Sequence, residues 1–154
     1  MASLAIQVIG AFIATVSAAL TLELPRHLLS NIGFVGAGGY LAYLLVLDYN
    51  TVLAAFVAAF VITIISQIFA RVFKAPVTMF YIPGFFPIVP GIAIYRTVLY
   101  FIQGDLAQAN YYLVQTMMVA GAIAIAIFLI DSYIEMQNFV LHQRRLRRRK
   151  SREL

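Results

Sequence analysis

Residues 76–96 read PVTMFYIPGFFPIVPGIAIYR. The stretch is apolar enough for a membrane interior, yet Pro83, Pro87 and Pro90 forbid one continuous helix. Each proline lacks an N–H and crowds the carbonyl four residues back. The carbonyls of Met79, Pro83 and Phe86 are therefore expected to lose their helical partners. Bare backbone in hydrocarbon costs several kcal/mol per group and persists only inside protein or beside a wet cavity. Three breaks so close together point to a break with a use. After Pro90, the segment GIAIYRTVLYFI reads as a helix, with proline suited to its first turn. The N–H groups of Gly91, Ile92 and Ala93 are then expected to face the break. A buried half-helix N-terminus of this kind suits an anionic group such as a carboxylate.

The rest of the chain sets this stretch in a membrane. Of 154 residues, 63% are hydrophobic and 11% charged, against roughly 25% charged in soluble domains. The apolar residues fall in blocks of spanning length, so the expected class is an all-α polytopic membrane protein. There is no cysteine, which excludes disulfides and thiolate metal sites. The first apolar block is long and polar-flanked, and reads as a retained span rather than a cleaved leader. Most of the basic residues lie in 144–152, so the net charge of +5 belongs mainly to the tail.

Five blocks follow in order: Ser3–Leu22, Ile32–Leu47, Val52–Ala70, the broken Pro76–Gln103 and Tyr111–Ile130. The fourth is longer than the ~20 residues a straight span needs, which fits an unwound middle. Gly10, Ala14 and Ala18 form a small-residue series in the first block. Gly33, Gly36, Gly38 and Gly39 crowd the second, ahead of Tyr40 and Tyr43; both sets read as helix-packing residues. Thr63, Ser66 and Gln67 share a face and suit interhelical hydrogen bonds. Residues 1–140 are read as the membrane domain and 141–154 as a basic cytoplasmic tail that attracts anionic lipid. Arg26, Arg71, Lys74 and the tail fall on one side of a five-span chain, and Asp48 and Asp105 on the other. Cations concentrate in the cytoplasm, so the N-terminus is expected outside and the C-terminus inside. A re-entrant fourth block would separate Arg71 and Lys74 from the tail and is disfavoured.

Arg96 is the one Lys or Arg outside the loops and tail. At mid-bilayer it costs about 2.5–3.5 kcal/mol on insertion scales. On a helix it shares a face with Tyr100 and Gln103, below Ile92 and Ala93. The functional reading is a polar stripe lining a substrate path, with Arg96 holding a carboxylate. The plain alternative is an arginine that snorkels to the headgroups and touches nothing. Glu23 and Asp131 read as solvated charges at span ends. His27 and His142 have no metal-ligand spacing, and no nucleophile or phosphate-loop motif occurs, so neither an enzyme nor a cofactor is expected. The tail has no interleaved aromatics and is not read as nucleic-acid binding.

The segment Tyr81–Arg96, with Pro87, Pro90, Gly91 and Tyr95 as its P-x-x-P-G-x-x-x-Y core, resembles the threonine/serine exporter family. Length and the five blocks are similar to the small subunit of its split, two-component members, although the fifth block lacks late glycines and the tail is unusually Arg-rich. The resemblance implies a bacterial plasma-membrane exporter of threonine or serine that works with a larger subunit; some split members export dicarboxylates instead. Membrane lipids, the small-molecule substrate and further copies of the chain complete the expected partners. The substrate-binding residues expected on this reading are Pro87, Pro90, Gly91, Ile92, Ala93, Tyr95, Arg96 and Tyr100. The rival reading is a membrane scaffold that transports nothing and stabilises a partner; a channel is weaker, for want of an acidic ring.

Overall fold

A computed structural model describes the backbone of residues 2–150 and the side chains of residues 3–137. Six helices carry the chain: α1 (Ala2–Thr21), α2 (Leu29–Val46), α3 (Thr51–Phe73), α4 (Thr78–Phe85), α5 (Gly91–Ile102) and α6 (Leu106–Lys150). Short 3-10 turns, Arg26–Leu28 and Phe86–Ile88, precede α2 and follow α4. The fold is an all-α membrane architecture. Helices α1, α2, α3 and α6 contain stretches long and apolar enough to span. The fourth block is the α4–α5 pair, bent by 52° at its break.

The direction of that pair follows from its neighbours. Asn50–Val52, at the start of α3, share a cavity with Ala107, Asn110 and Tyr111, early in α6. The α2–α3 and α5–α6 turns therefore lie at the same end of the bundle. Lys74, which closes α3, lies a whole helix away at the other end. The broken block carries the chain from one end to the other and does not turn back, which makes five spans.

Helix α2 is the centre of the bundle, between α1 and α3 and against α4. Its glycines make this possible. A side chain at Gly36 would collide with Thr15 of α1, and one at Gly39 with Ile62 of α3. At Gly84 of α4 an added carbon would lie 3.1 Å from Val35 and 3.2 Å from Ile62. The core comprises Ile32, Val35, Ala58, Ala59, Ile62 and Phe80, all fully buried. Helix α1 enters it through Ala11, Thr15, Ala18 and Ala19. The expected series of Gly10, Ala14 and Ala18 is only partly right. Gly10 and Ala14 face outward, and an added carbon at Gly10 meets nothing within 4 Å. A spacing of four drifts about 40° per step around a 3.6-residue helix, so the series leaves the contact face.

Several boundaries shift outward. Helix α2 starts at Leu29 rather than Ile32. Helix α3 starts at Thr51, where Asn50 Oδ1 accepts the N–H groups of Val52 at 2.7 Å and Leu53 at 3.3 Å. This is an ordinary N-cap. Helix α6 begins at Leu106, and Asp105 accepts the Gln108 N–H at 3.1 Å. Its backbone continues helical to Lys150. The basic tail expected at 141–154 lies outside the described side chains.

Asp131 is not the solvated end charge expected of it. Gln67 Nε2 donates to Asp131 Oδ1 at 2.8 Å in a part-buried contact that ties α6 to α3. Thr63 instead turns back on its own helix, donating to the Ala59 carbonyl at 2.8 Å. Ser66 is fully buried, and its hydroxyl has no partner among the described residues.

Two tests follow. Gly36→Leu should cost about 1–3 kcal/mol of stability through overpacking, read as a lower melting temperature in detergent, whereas Gly10→Leu should leave it unchanged. Asp131→Leu should cost about 1–3 kcal/mol by leaving the Gln67 amide unpaired. The double replacement Gln67→Leu with Asp131→Leu should restore most of that loss.

Candidate functional site

The break between α4 and α5 is built differently on its two sides. On the α4 side Pro83 is accommodated inside the helix, with its ring buried. Its carbonyl, expected to be free, accepts the Phe86 N–H in a tightened last turn. Val89 N–H bonds the Phe85 carbonyl at 3.1 Å. The chain then opens: Val89 is extended, and Pro90 has φ −76° and ψ 52°. The Gly91 N–H, expected to face the break unpaired, closes a tight turn onto the Val89 carbonyl at 2.7 Å. Ile94 N–H takes the Pro90 carbonyl at 3.0 Å. Ile92 and Ala93 are left as first-turn N–H groups without a backbone acceptor among the described residues. The carbonyls of Phe86, Pro87 and Ile88 likewise accept no backbone N–H there.

All of these except the Phe86 carbonyl belong to residues that line a cavity of about 290 Å³. Its walls come from four parts of the fold: Tyr40 and Tyr43 of α2, Thr51 of α3, the break and first turns of α5 from Pro87 to Arg96, and Tyr112, Gln115 and Val119 of α6. The sequence-derived residues Pro87, Pro90, Gly91, Ile92, Ala93 and Arg96 all line it. Tyr95 does not; it is 65% exposed on α5. Tyr100 stands outside the wall but touches a residue in it, stacking on Tyr112 with ring centroids 5.6 Å apart and planes 3° apart.

Arg96 is exposed but touches a neighbour. Its Nη1 donates to the Tyr112 hydroxyl at 3.0 Å, and its guanidinium carbon lies 5.2 Å from the same ring's centroid. The polar face of α5 is thereby latched to α6. Arg96 is the one charged residue lining the cavity. Opposite it stand Tyr40 and Tyr43, stacked at 5.7 Å. The arrangement offers one cation and two backbone N–H groups to an anion. The tyrosine rings and unpaired carbonyls can receive a cationic group. No group of three or more potential metal ligands occurs among the described residues.

Sequence reading missed Tyr112, Gln115 and Thr51. Gln115 carried a usable signal, as a polar residue within the fifth apolar block. Tyr112 carried little, because its importance comes from the pairing of α5 with α6.

No curated protein and no solved structure matches the chain. The family model described as "Threonine/Serine exporter, ThrE" matches residues 7–133. That range covers every residue of the cavity and most of the chain, and the chain therefore belongs to the threonine/serine exporter family.

Proposed function

We propose that this protein is the small subunit of a two-part secondary exporter, and that the cavity at the broken helix binds a small amino acid, threonine or serine. The observation that carries the reading is the charge content of the wall: one arginine, no acid, and two unpaired N–H groups on the same side. A single carboxylate would sit between Arg96 and the Ile92 and Ala93 N–H groups. The ammonium would meet the Tyr40 and Tyr43 rings and the carbonyls of Pro87 and Ile88. The carbonyls of Met79, Pro83 and Phe86, which the sequence was expected to free, do not belong to residues lining the cavity. A dicarboxylate would need a second cation, and the wall has none. This favours the amino acid over a dicarboxylate. Tyr95 faces away from the cavity and has no role in binding on this reading; Tyr100 acts by supporting Tyr112.

The membrane is taken to be the bacterial plasma membrane, with the N-terminus outside. Arg26, Arg71 and Lys74 at one end of the bundle support that orientation. Residues 1–140 form the membrane domain, and 141–154 lie in the cytoplasm against anionic lipid. A larger subunit of the same family would supply the rest of the path.

Efflux of labelled serine, threonine and succinate from cells lacking native exporters tests this. Serine or threonine efflux is expected when the chain is expressed with the larger subunit; succinate efflux instead would transfer the assignment to dicarboxylates. Arg96→Ala should lower amino-acid efflux by about tenfold or more, roughly 1.4 kcal/mol, at unchanged protein level. Gly91→Leu separates transporter from scaffold. An added carbon at Gly91 meets nothing within 4 Å, so the variant should insert and remain stable. A transporter loses flux because the side chain enters the cavity, whereas a scaffold is unaffected.

A further inference from the structure

A second cavity, of about 610 Å³, adjoins the first. It lies between the α2–α3 turn and the first turns of α6. Thr51 and Gln115 line both cavities. These two side chains stand between the two spaces. Tyr112 faces the binding cavity on one side of the junction, and Tyr111 the second cavity on the other, their rings edge to face at 5.2 Å.

The junction has a distinct chemistry. Neither Thr51 nor Gln115 makes a side-chain hydrogen bond among the described residues. Asn50 beside them is committed, its Oδ1 holding the first turn of α3. Gln115 stands in a helix of spanning character, where an unpaired amide is costly unless water or a ligand meets it. No charged residue lines the second cavity. The junction thus presents one hydroxyl and one amide, which both donate and accept.

We infer that the binding cavity opens to the membrane surface between Thr51 and Gln115, and that these two side chains contact the neutral end of the substrate as it leaves. The inference rests on the reading of the cavity as an amino-acid site. It assigns the carboxylate to the Arg96 side and a small hydrogen-bonding side chain to the Gln115 side. A second carboxylate arriving there would shed water with no cation to receive it.

The chain has no cysteine, so single-cysteine variants of it need no background removal in this subunit, and labelling is read on this subunit alone. Thr51→Cys, Asn110→Cys and Gln115→Cys, expressed with the larger subunit, would be treated with a membrane-impermeant maleimide from each face of the membrane. Gln67→Cys, at the opposite end, is the control for sidedness. All three should react from the face bearing the α2–α3 turn, and Gln67→Cys should not. Serine at ten times its dissociation constant should slow reaction at Gln115→Cys about tenfold. Reaction at Asn110→Cys with none at Gln115→Cys, or reaction at Gln115→Cys that serine and threonine leave unchanged, overturns the outlet. Where Gln115→Cys fails to accumulate, Gln115→Leu and Gln115→Asn decide in its place. Flux lost in the first and kept in the second supports the outlet; equal flux in both overturns it. Absence of serine and threonine efflux from the unsubstituted pair refutes the amino-acid site itself, whereas normal efflux with unprotected Gln115→Cys refutes the outlet alone.

Discussion

Every backbone N–H and C=O inside a bilayer has to find a partner, because the solvent there offers none. Around Pro87 and Pro90 the chain cannot supply those partners from its own helix. Phe86, Pro87 and Ile88 keep carbonyls, and Ile92 and Ala93 keep N–H groups, that no neighbouring turn takes up. Much of the architecture is arranged around that deficit. The unpaired groups of Pro87, Ile88, Ile92 and Ala93 belong to residues lining a cavity walled by α2, α3, α5 and α6, where water or a ligand can reach them.

Close packing of the centre allows the break to exist. Helix α4, the first half of the broken span, is held deep in the core by Phe80, Pro83 and Gly84. It fits because α2 carries glycine where α1 and α3 approach, and because Gly84 lets α4 approach Val35 and Ile62. Helix α5, the second half, has no buried residue and rests on α6. The span is thus anchored on one side of its bend and lightly held on the other. That asymmetry leaves α5 freer to move than α4, since elements of few buried contacts open most readily.

Two side-chain ties fasten α6 near the two ends of its apolar stretch, Leu106–Gln137. Near the α5–α6 turn, Tyr112 receives Arg96 and stacks on Tyr100. Near the opposite end, Asp131 receives Gln67. Each joins a polar group that would be costly alone in lipid to a partner on another helix. The same feature, a polar residue within an apolar run, marked Arg96 and Gln67 in the sequence. It did not tell which residue each one meets.

The class of the protein, its spans and the place of its break were legible because they depend on local chemistry. Apolar length reports spanning capacity, and proline removes an N–H wherever it stands. The crowded glycines of α2 were legible for a similar reason: a missing side chain has few uses in a membrane helix other than close approach. What the sequence could not decide were matters of rotation and pairing between distant helices. Gly10 and Ala14 turn outward because the helical repeat carries them off the contact face. Gly91 spends its N–H on Val89 because Pro90 folds the chain into a tight turn. Tyr112, Gln115 and Thr51 join Arg96 because α6 folds back along α5 and beside the start of α3. By itself the sequence determined that the fourth span is broken. Only the tertiary structure decided what stands around the break, because each wall residue is brought there by the packing of helices far apart in the chain.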